Sequence, residues 1–474
     1  MTAQRRSWAA VAVCATLLTA PRLVTASGLA YRDAVTGFWM GIAQSGDVRA
    51  TGAYAGKTFA GFSGNTKVAI DAIPAGPCDV NPSVVAAFSG HVAGAPPNSG
   101  LFLYDALADT ISDAVIQGAA TPIGGTWQSF NGNTPAIAID ASTCLVHVYF
   151  RGQAVGAAPN DTGIFDAAFG PLPNLVPAGP VVVVAQEGVT PAPLPFPGGS
   201  VFSVFPASLR VTAASDLVAG GDVHVAFRGQ VSGGGVSGAN NTGVFLATSS
   251  APGVIFTAAR EGDVGCAPTW SGGTTFAEFP AALDVGIGDP IVPFGPQVVF
   301  RAKSAGGLPT NDTAIIDVVP VGLPCGVAFA IPAIEGGATP LGGTYKELAG
   351  ATPVTAGGGG GGLPTNVAFL ANISGGPAPK ALFFYGSPAF TAVTVAAQGL
   401  AGTALGAGTV SLAPGTLGLS VNALNDLTFR ASVSGAGSGL FMFNPAGPVA
   451  PESLAGGYRN ARLDRLGNMT ARFP

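Results

Sequence analysis

The chain has 474 residues with a formal net charge of −5, 48% hydrophobic and 9% charged residues, and 71 glycines and 39 prolines, roughly double the usual combined share. That glycine and proline density excludes a coiled coil or helical bundle, the lack of a Gly-x-y period excludes collagen, and the apolar, weakly charged composition argues against disorder. The acidic balance and the absence of a Lys/Arg cluster disfavour nucleic acid as a partner.

Residues 1–26 read as a secretory signal peptide. Arg5 and Arg6 open it, an apolar run of about a dozen residues from Trp8 to Leu18 follows, and Val24-Thr25-Ala26 fits the small-residue cleavage pattern. The run is too short to span a bilayer, which takes about 20 residues. No later apolar run is long enough either, so no transmembrane segment is expected after cleavage. Loss of Arg5, Arg6 and Arg22 takes the net charge from −5 to −8. The predicted protein is therefore secreted, or periplasmic or cell-surface in a bacterium, with residues 27–474 as a single repeat domain.

Cys14 leaves with the signal peptide. Cys78, Cys144, Cys266 and Cys325 remain, an even number suited to an oxidising compartment. The expected pairing is Cys78–Cys144 and Cys266–Cys325, since each bond then joins neighbouring repeats. No Cys-x-x-Cys pair is present, which disfavours zinc.

Three signatures recur in fixed order along the remaining chain. The first is a small-residue pair, then Ser/Thr, then usually an aromatic, as in Gly124-Gly125-Thr126-Trp127, Gly198-Gly199-Ser200-Val201-Phe202 and Gly342-Gly343-Thr344-Tyr345. The second is a β-branched run ending in Phe88, Phe150, Phe227, Phe300, Phe369, Phe429 and Phe473, with Arg following at 151, 228, 301 and 430. The third is Gly-Φ-Phe after a polar turn, as in Gly100-Leu101-Phe102, Gly163-Ile164-Phe165, Gly243-Val244-Phe245 and Gly439-Leu440-Phe441. A Val/Ala-rich run and an acidic or amide-Gly turn close the unit. Alternation and turn residues give four short strands per unit of about seventy residues.

Four strands per unit is the blade of a β-propeller, so the predicted fold is all-β, with about seven four-stranded blades and six as the alternative. The last second-type run stops at Phe473 without its partners. Thr36-Gly37-Phe38-Trp39, followed by Ile42–Asp47, reads as an orphan third signature at the other end. Pairing of the N- and C-terminal strands would close the ring and remove two sheet edges.

Within this frame the Phe residues read as core between blades. The Arg after each one points to the other side of its strand, toward the next blade's aromatics or carbonyls. Asp47, Glu187, Glu261, Asp263 and Glu335 fall in the turns after the fourth strands and are the candidates for a ligand or Ca²⁺ site, with ordinary turn chemistry as the alternative. No other metal or cofactor is expected. Asn-x-Ser/Thr tripeptides at Asn160, Asn240, Asn311, Asn372 and Asn468 are glycosylation candidates in a eukaryotic host. His91, His147 and His224 form no recognisable triad, and no nucleophile elbow, His-Glu-x-x-His or Walker loop appears, so no catalytic residue is assigned.

The segment Asn422-Ala423-Leu424-Asn425-Asp426-Leu427-Thr428-Phe429-Arg430-Ala431, with the Gly-Φ-Phe and Glu-Gly-Asp signatures, resembles secreted, mostly bacterial proteins built of tandem Asn-x-x-Gly-x-x-x-Phe-x-Ala repeats with a variable C-terminal anchor. The resemblance covers roughly residues 36–473 and implies a repeat protein without an assigned activity. This chain lacks the anchor and replaces the Asn and Gly in most copies. The expected function is recognition or scaffolding of an extracellular glycan or protein. The alternative is a propeller-fold carbohydrate-active hydrolase or lyase.

Overall fold

A computed structural model describes most of residues 28–473. The stretches outside the description include 1–27, 33–38, 62–67, 216–221, 263–274, 321–326, 358–364, 401–408, 445–449, 454–458 and 464–468. The expected signal peptide, Cys266, Cys325, Asp263 and Asn468 lie outside the described residues.

The described strands form antiparallel sheets, six of five strands and one of four. We number the five-stranded blades 1 to 6 along the chain. Blade 1 shows the plan. Its inner strand, Val68–Ile73, pairs with the first half of the long second strand, Ser83–Val92. The third strand, Ser99–Asp105, and the outer strand, Thr110–Ile116, follow in order. A short opening strand, Phe59–Gly61, pairs with the far end of the second strand. The first signature is this opening strand, so the inner edge of each blade is made of two segments and the blade keeps four ranks. The inner strands of blades 1 to 6 contact one another in sequence, and the inner strand of the four-stranded sheet touches both blade 6 and blade 1. The ring is closed.

The closing sheet is composite. Arg459–Leu463 is its inner strand, Met469–Phe473 its second, Gly28–Arg32 its third and Trp39–Gln44 its outer strand. Terminal pairing is as expected, but its register corrects the sequence reading. The third rank is Gly28–Arg32, not Gly37-Phe38-Trp39, and Trp39 opens the outer rank. The reason lies in the shared bulge. Third and outer strands slip register after Leu101, Ile164, Val244, Leu382 and Leu440, one residue past the small residue that opens the third signature, a glycine in four of the five and Ala381 in the other. The closing sheet slips after Leu29, one residue past Gly28.

The aromatics explain why the signatures recur. Phe88, Phe150, Phe227, Phe369 and Phe429 stand directly opposite Phe102, Phe165, Phe245, Phe383 and Phe441. Their ring centroids are 5.5–5.8 Å apart. The opening-strand aromatics Phe59, Trp127, Phe202 and Tyr345 set an edge against the third-strand ring at 4.7–5.3 Å. Glycine is needed beneath such a trio. A Cβ at Gly152 would lie 2.4 Å from the Trp127 ring. These trios belong to cores between blades, as the sequence suggested: Phe150 and Phe165 pack in one cluster with Val85, Leu101 and Leu103 of blade 1. Burying each ring contributes roughly 1.5–3 kcal/mol.

Cys78 and Cys144 form a disulfide between the loops that join inner and second strands in blades 1 and 2. This is one of the two expected bonds.

Candidate functional site

The candidate acids are placed by the outer strands. In blades 2, 3 and 4 those are Val182–Gln186, Ile255–Arg260 and Val327–Ile334, and Glu187, Glu261 and Glu335 follow them directly. The three positions are equivalent. They lie on the rank farthest from the axis, one per blade, so closing the ring does not bring them together.

Each carboxylate turns back into its own blade. Thr162 Oγ1 donates to Glu187. Thr242 Oγ1 donates to Glu261 at 2.9 Å, and the Asn241 and Thr242 N–H groups donate at 3.2 Å. Thr313 Oγ1 donates to Glu335 at 3.0 Å. In blade 1 an amide fills the place: Gln117 Oε1 accepts from the Ser99 N–H and hydroxyl at 3.2 and 3.1 Å. Burial raises the Glu335 carboxyl above its ordinary value despite the Thr313 hydroxyl, and Asp312 adds to the rise.

The hydroxyl also reaches the next blade. Ser99, Thr242 and Thr313 Oγ accept the N–H of Phe130, Phe279 and Leu348 at 3.0–3.1 Å. Arg151, Arg228 and Arg301, each following a second-strand Phe, bind the carbonyl of the same kind of residue. Arg228 Nε and a terminal nitrogen donate to Phe279 O at 3.0 and 2.8 Å. Arg151 Nε donates to Phe205 O at 2.6 Å, and Arg301 Nε donates to Leu348 O. Phe279 and Leu348 are thus each held by both their N–H and their carbonyl. This clasp of contacts absorbs Glu187, Glu261 and Glu335, and the carbonyl-capping expectation holds for Arg151, Arg228 and Arg301.

Asp47 departs from the pattern. Gln44 takes the place of Gln186, so Ser45, not Asp47, is the counterpart of Glu187. The exposed Asp47 caps its own turn by accepting the Gln44 N–H at 2.6 Å. Among the described residues no three His, Cys, Asp or Glu side chains gather as a metal-holding group.

The glycosylation candidates share this origin. Asn160, Asn240 and Asn311 stand two residues before the clasp residues Thr162, Thr242 and Thr313. Asn240 Oδ1 accepts the Ser237 N–H at 2.7 Å in an exposed turn. Asn372 lies half-buried on the second strand of blade 5, Asn366–Ser374.

The sequence reading missed a polar pair between second and third strands in blade 2 and two buried polar residues at the matching positions of blade 4. In blade 2, His147 Nδ1 lies 2.8 Å from Asp166 Oδ2, and the imidazole stacks on Tyr149 with ring planes 13° apart. Burial opposes charge on His147, but Asp166, with Asp140 beyond it, outweighs burial and holds its pKa above the usual value. In blade 4, Gln297 and Asp317 occupy the matching positions. The polar residue three places before Phe150 and Phe300 was the available signal.

The chain matches no protein-family model and no curated protein. Solved structures similar to it include AofleA from Arthrobotrys oligospora, at 10% identity and TM-score 0.39 over 86% of this chain and 93% of that one. A polysaccharide lyase, an ulvanlyase, aligns at 12% identity and TM-score 0.39 over 80% and 82% of the two chains. A lectin from Burkholderia pseudomallei aligns at 13% identity and TM-score 0.35 over 77% and 79%.

Proposed function

We propose that this protein is a secreted, non-enzymatic repeat protein that recognises or scaffolds an extracellular glycan or another protein. One observation carries the reading: the carboxylates that the repeat supplies at Glu187, Glu261 and Glu335 are committed to threonines of their own blades, and the Thr242 and Thr313 hydroxyls hold the next blade as well. A residue holding two blades together is not free to exchange protons with a substrate. What varies between blades is the loop set around this constant frame, where scaffolds carry recognition. The Cys78–Cys144 disulfide supports an oxidising compartment.

The test is a thermal melt of the purified protein against an oligosaccharide panel, run beside a depolymerisation assay on the same polysaccharides. A ligand present at 100 times its Kd adds about 2.7 kcal/mol to stability. A shift with one sugar class and no product supports a glycan-binding scaffold. No shift, with capture of a defined extracellular protein, supports the protein partner. Release of unsaturated or reducing ends would overturn the non-enzymatic reading.

A further inference from the structure

Asp317 lies on the third strand of blade 4, Thr313–Val319, and is fully buried against blade 5. One carboxylate oxygen accepts the Thr365 N–H of blade 5 at 3.3 Å, and among the described residues Oδ1 has no hydrogen-bond partner. Gln297, equally buried, accepts the Thr365 hydroxyl, and its Nε2 has no hydrogen-bond partner among the described residues. Within blade 4, Asp317 stands between Val299 and Ala330. The titratable group facing it from blade 5 is Tyr385, whose phenol is raised first by burial and then by Asp317. Among the described residues no Arg, Lys or His pairs with it.

Blade 2 supplies the comparison. Asp166 stands opposite Tyr149 as Asp317 stands opposite Val299, and His147 precedes Phe150 by three residues as Gln297 precedes Phe300. The same carboxylate position is therefore answered by an imidazole in blade 2 and by an amide in blade 4. An imidazole can carry a balancing positive charge, and an amide cannot. A buried carboxylate without a cation takes up a proton instead.

We propose that the seam between blades 4 and 5 is a proton-operated latch, in which Asp317 closes the seam as a neutral carboxylic acid and its ionisation in alkaline solution loosens the two blades. The proposal is independent of the ligand reading above. Burial pushes the Asp317 carboxyl up to about 8, against a single lowering hydrogen bond from Thr365. The folded value thus lies above the unfolded one, about 3.9. The native state keeps a proton that the unfolded chain gives up, so stability falls as pH rises from about 4 to about 8 and levels off beyond.

The test compares urea unfolding of the full protein and of Asp317→Asn from pH 5 to 9. With one proton at stake, the wild-type unfolding constant rises up to tenfold per pH unit more steeply than that of the variant below about 8. Gln297→His, which copies the blade 2 pair, should also flatten the profile. Parallel profiles for wild type and both variants would overturn the latch. So would a Ca²⁺- or Na⁺-dependent rise in Tm that Asp317→Asn abolishes, since that would assign the carboxylate to a cation. If neither variant folds, proton release on unfolding the wild-type protein at pH 5.5 decides. Release of about one proton supports the latch, and no release overturns it.

Discussion

Thr242 touches two blades at once. Its hydroxyl donates to Glu261 in its own blade and accepts the Phe279 N–H of the next. Thr242→Val keeps the volume, leaves the buried Phe279 N–H without this acceptor and takes the hydroxyl donor from Glu261, which keeps the Asn241 and Thr242 N–H groups. An unsatisfied buried group costs about 1–3 kcal/mol, so the unfolding free energy should fall by that amount, read as a lower urea midpoint with an unchanged m-value. Arg228→Met releases the carbonyl of the same residue, Phe279, and the double variant should show coupling rather than additivity. His147 makes a second residue-scale case. Its folded pKa is raised by Asp166 and Asp140 against burial. The stability it contributes is present below about pH 6.5, its unfolded value, and is lost as pH rises through the folded value. His147→Gln should remove that component from a plot of unfolding free energy against pH, leaving the decline at lower pH intact.

At the scale of elements, the three signatures were legible because each is a requirement of one rank of the blade. The second-strand Phe must meet the third-strand Phe across the ladder, and the opening aromatic must fit against both. The clasp was only half legible. The acids were visible as repeating turn residues, but their partner is a Thr some 19 to 25 residues earlier, which strand patterns do not connect. The Ser or Thr before the small residue that opens the third signature, at 99, 162, 242 and 313, was the overlooked half of the pattern. The disulfide was found from the parity of the cysteines and the wish to join neighbours. It closes a separation of 66 residues. Chain-entropy reasoning gives about 4 kcal/mol for such a loop, with about 2–4 kcal/mol typical. Replacing Cys78 and Cys144 together by serine should lower stability by that range in chemical unfolding without altering the far-ultraviolet circular dichroism spectrum.

For the whole molecule, closure depends on strands from opposite ends of the chain. The orphan signature pointed to this pairing but put the third rank too late, because Gly28-Leu29-Ala30-Tyr31 lacks the Phe that marks its counterparts. Ala30 occupies the place of Phe102, and the register slip, not the side chain, reveals the equivalence. The second strand, Met469–Phe473, lies between the inner strand Arg459–Leu463 and the third strand Gly28–Arg32. Ending the chain at residue 458 removes both C-terminal strands, leaves Gly28–Arg32 as an open edge and deprives the inner strands of blades 1 and 6 of their shared neighbour. Such a chain should lose its cooperative melt or associate through the open edge, as read by circular dichroism and size-exclusion chromatography. A peptide spanning residues 459–473 can supply the missing hairpin by strand addition. If closure is what holds the ring, the peptide restores a single cooperative transition, and a peptide of the same composition in scrambled order does not. A truncated chain that melts like the intact protein without any peptide would mean that the other blades hold their cores unaided and that terminal pairing contributes no stability.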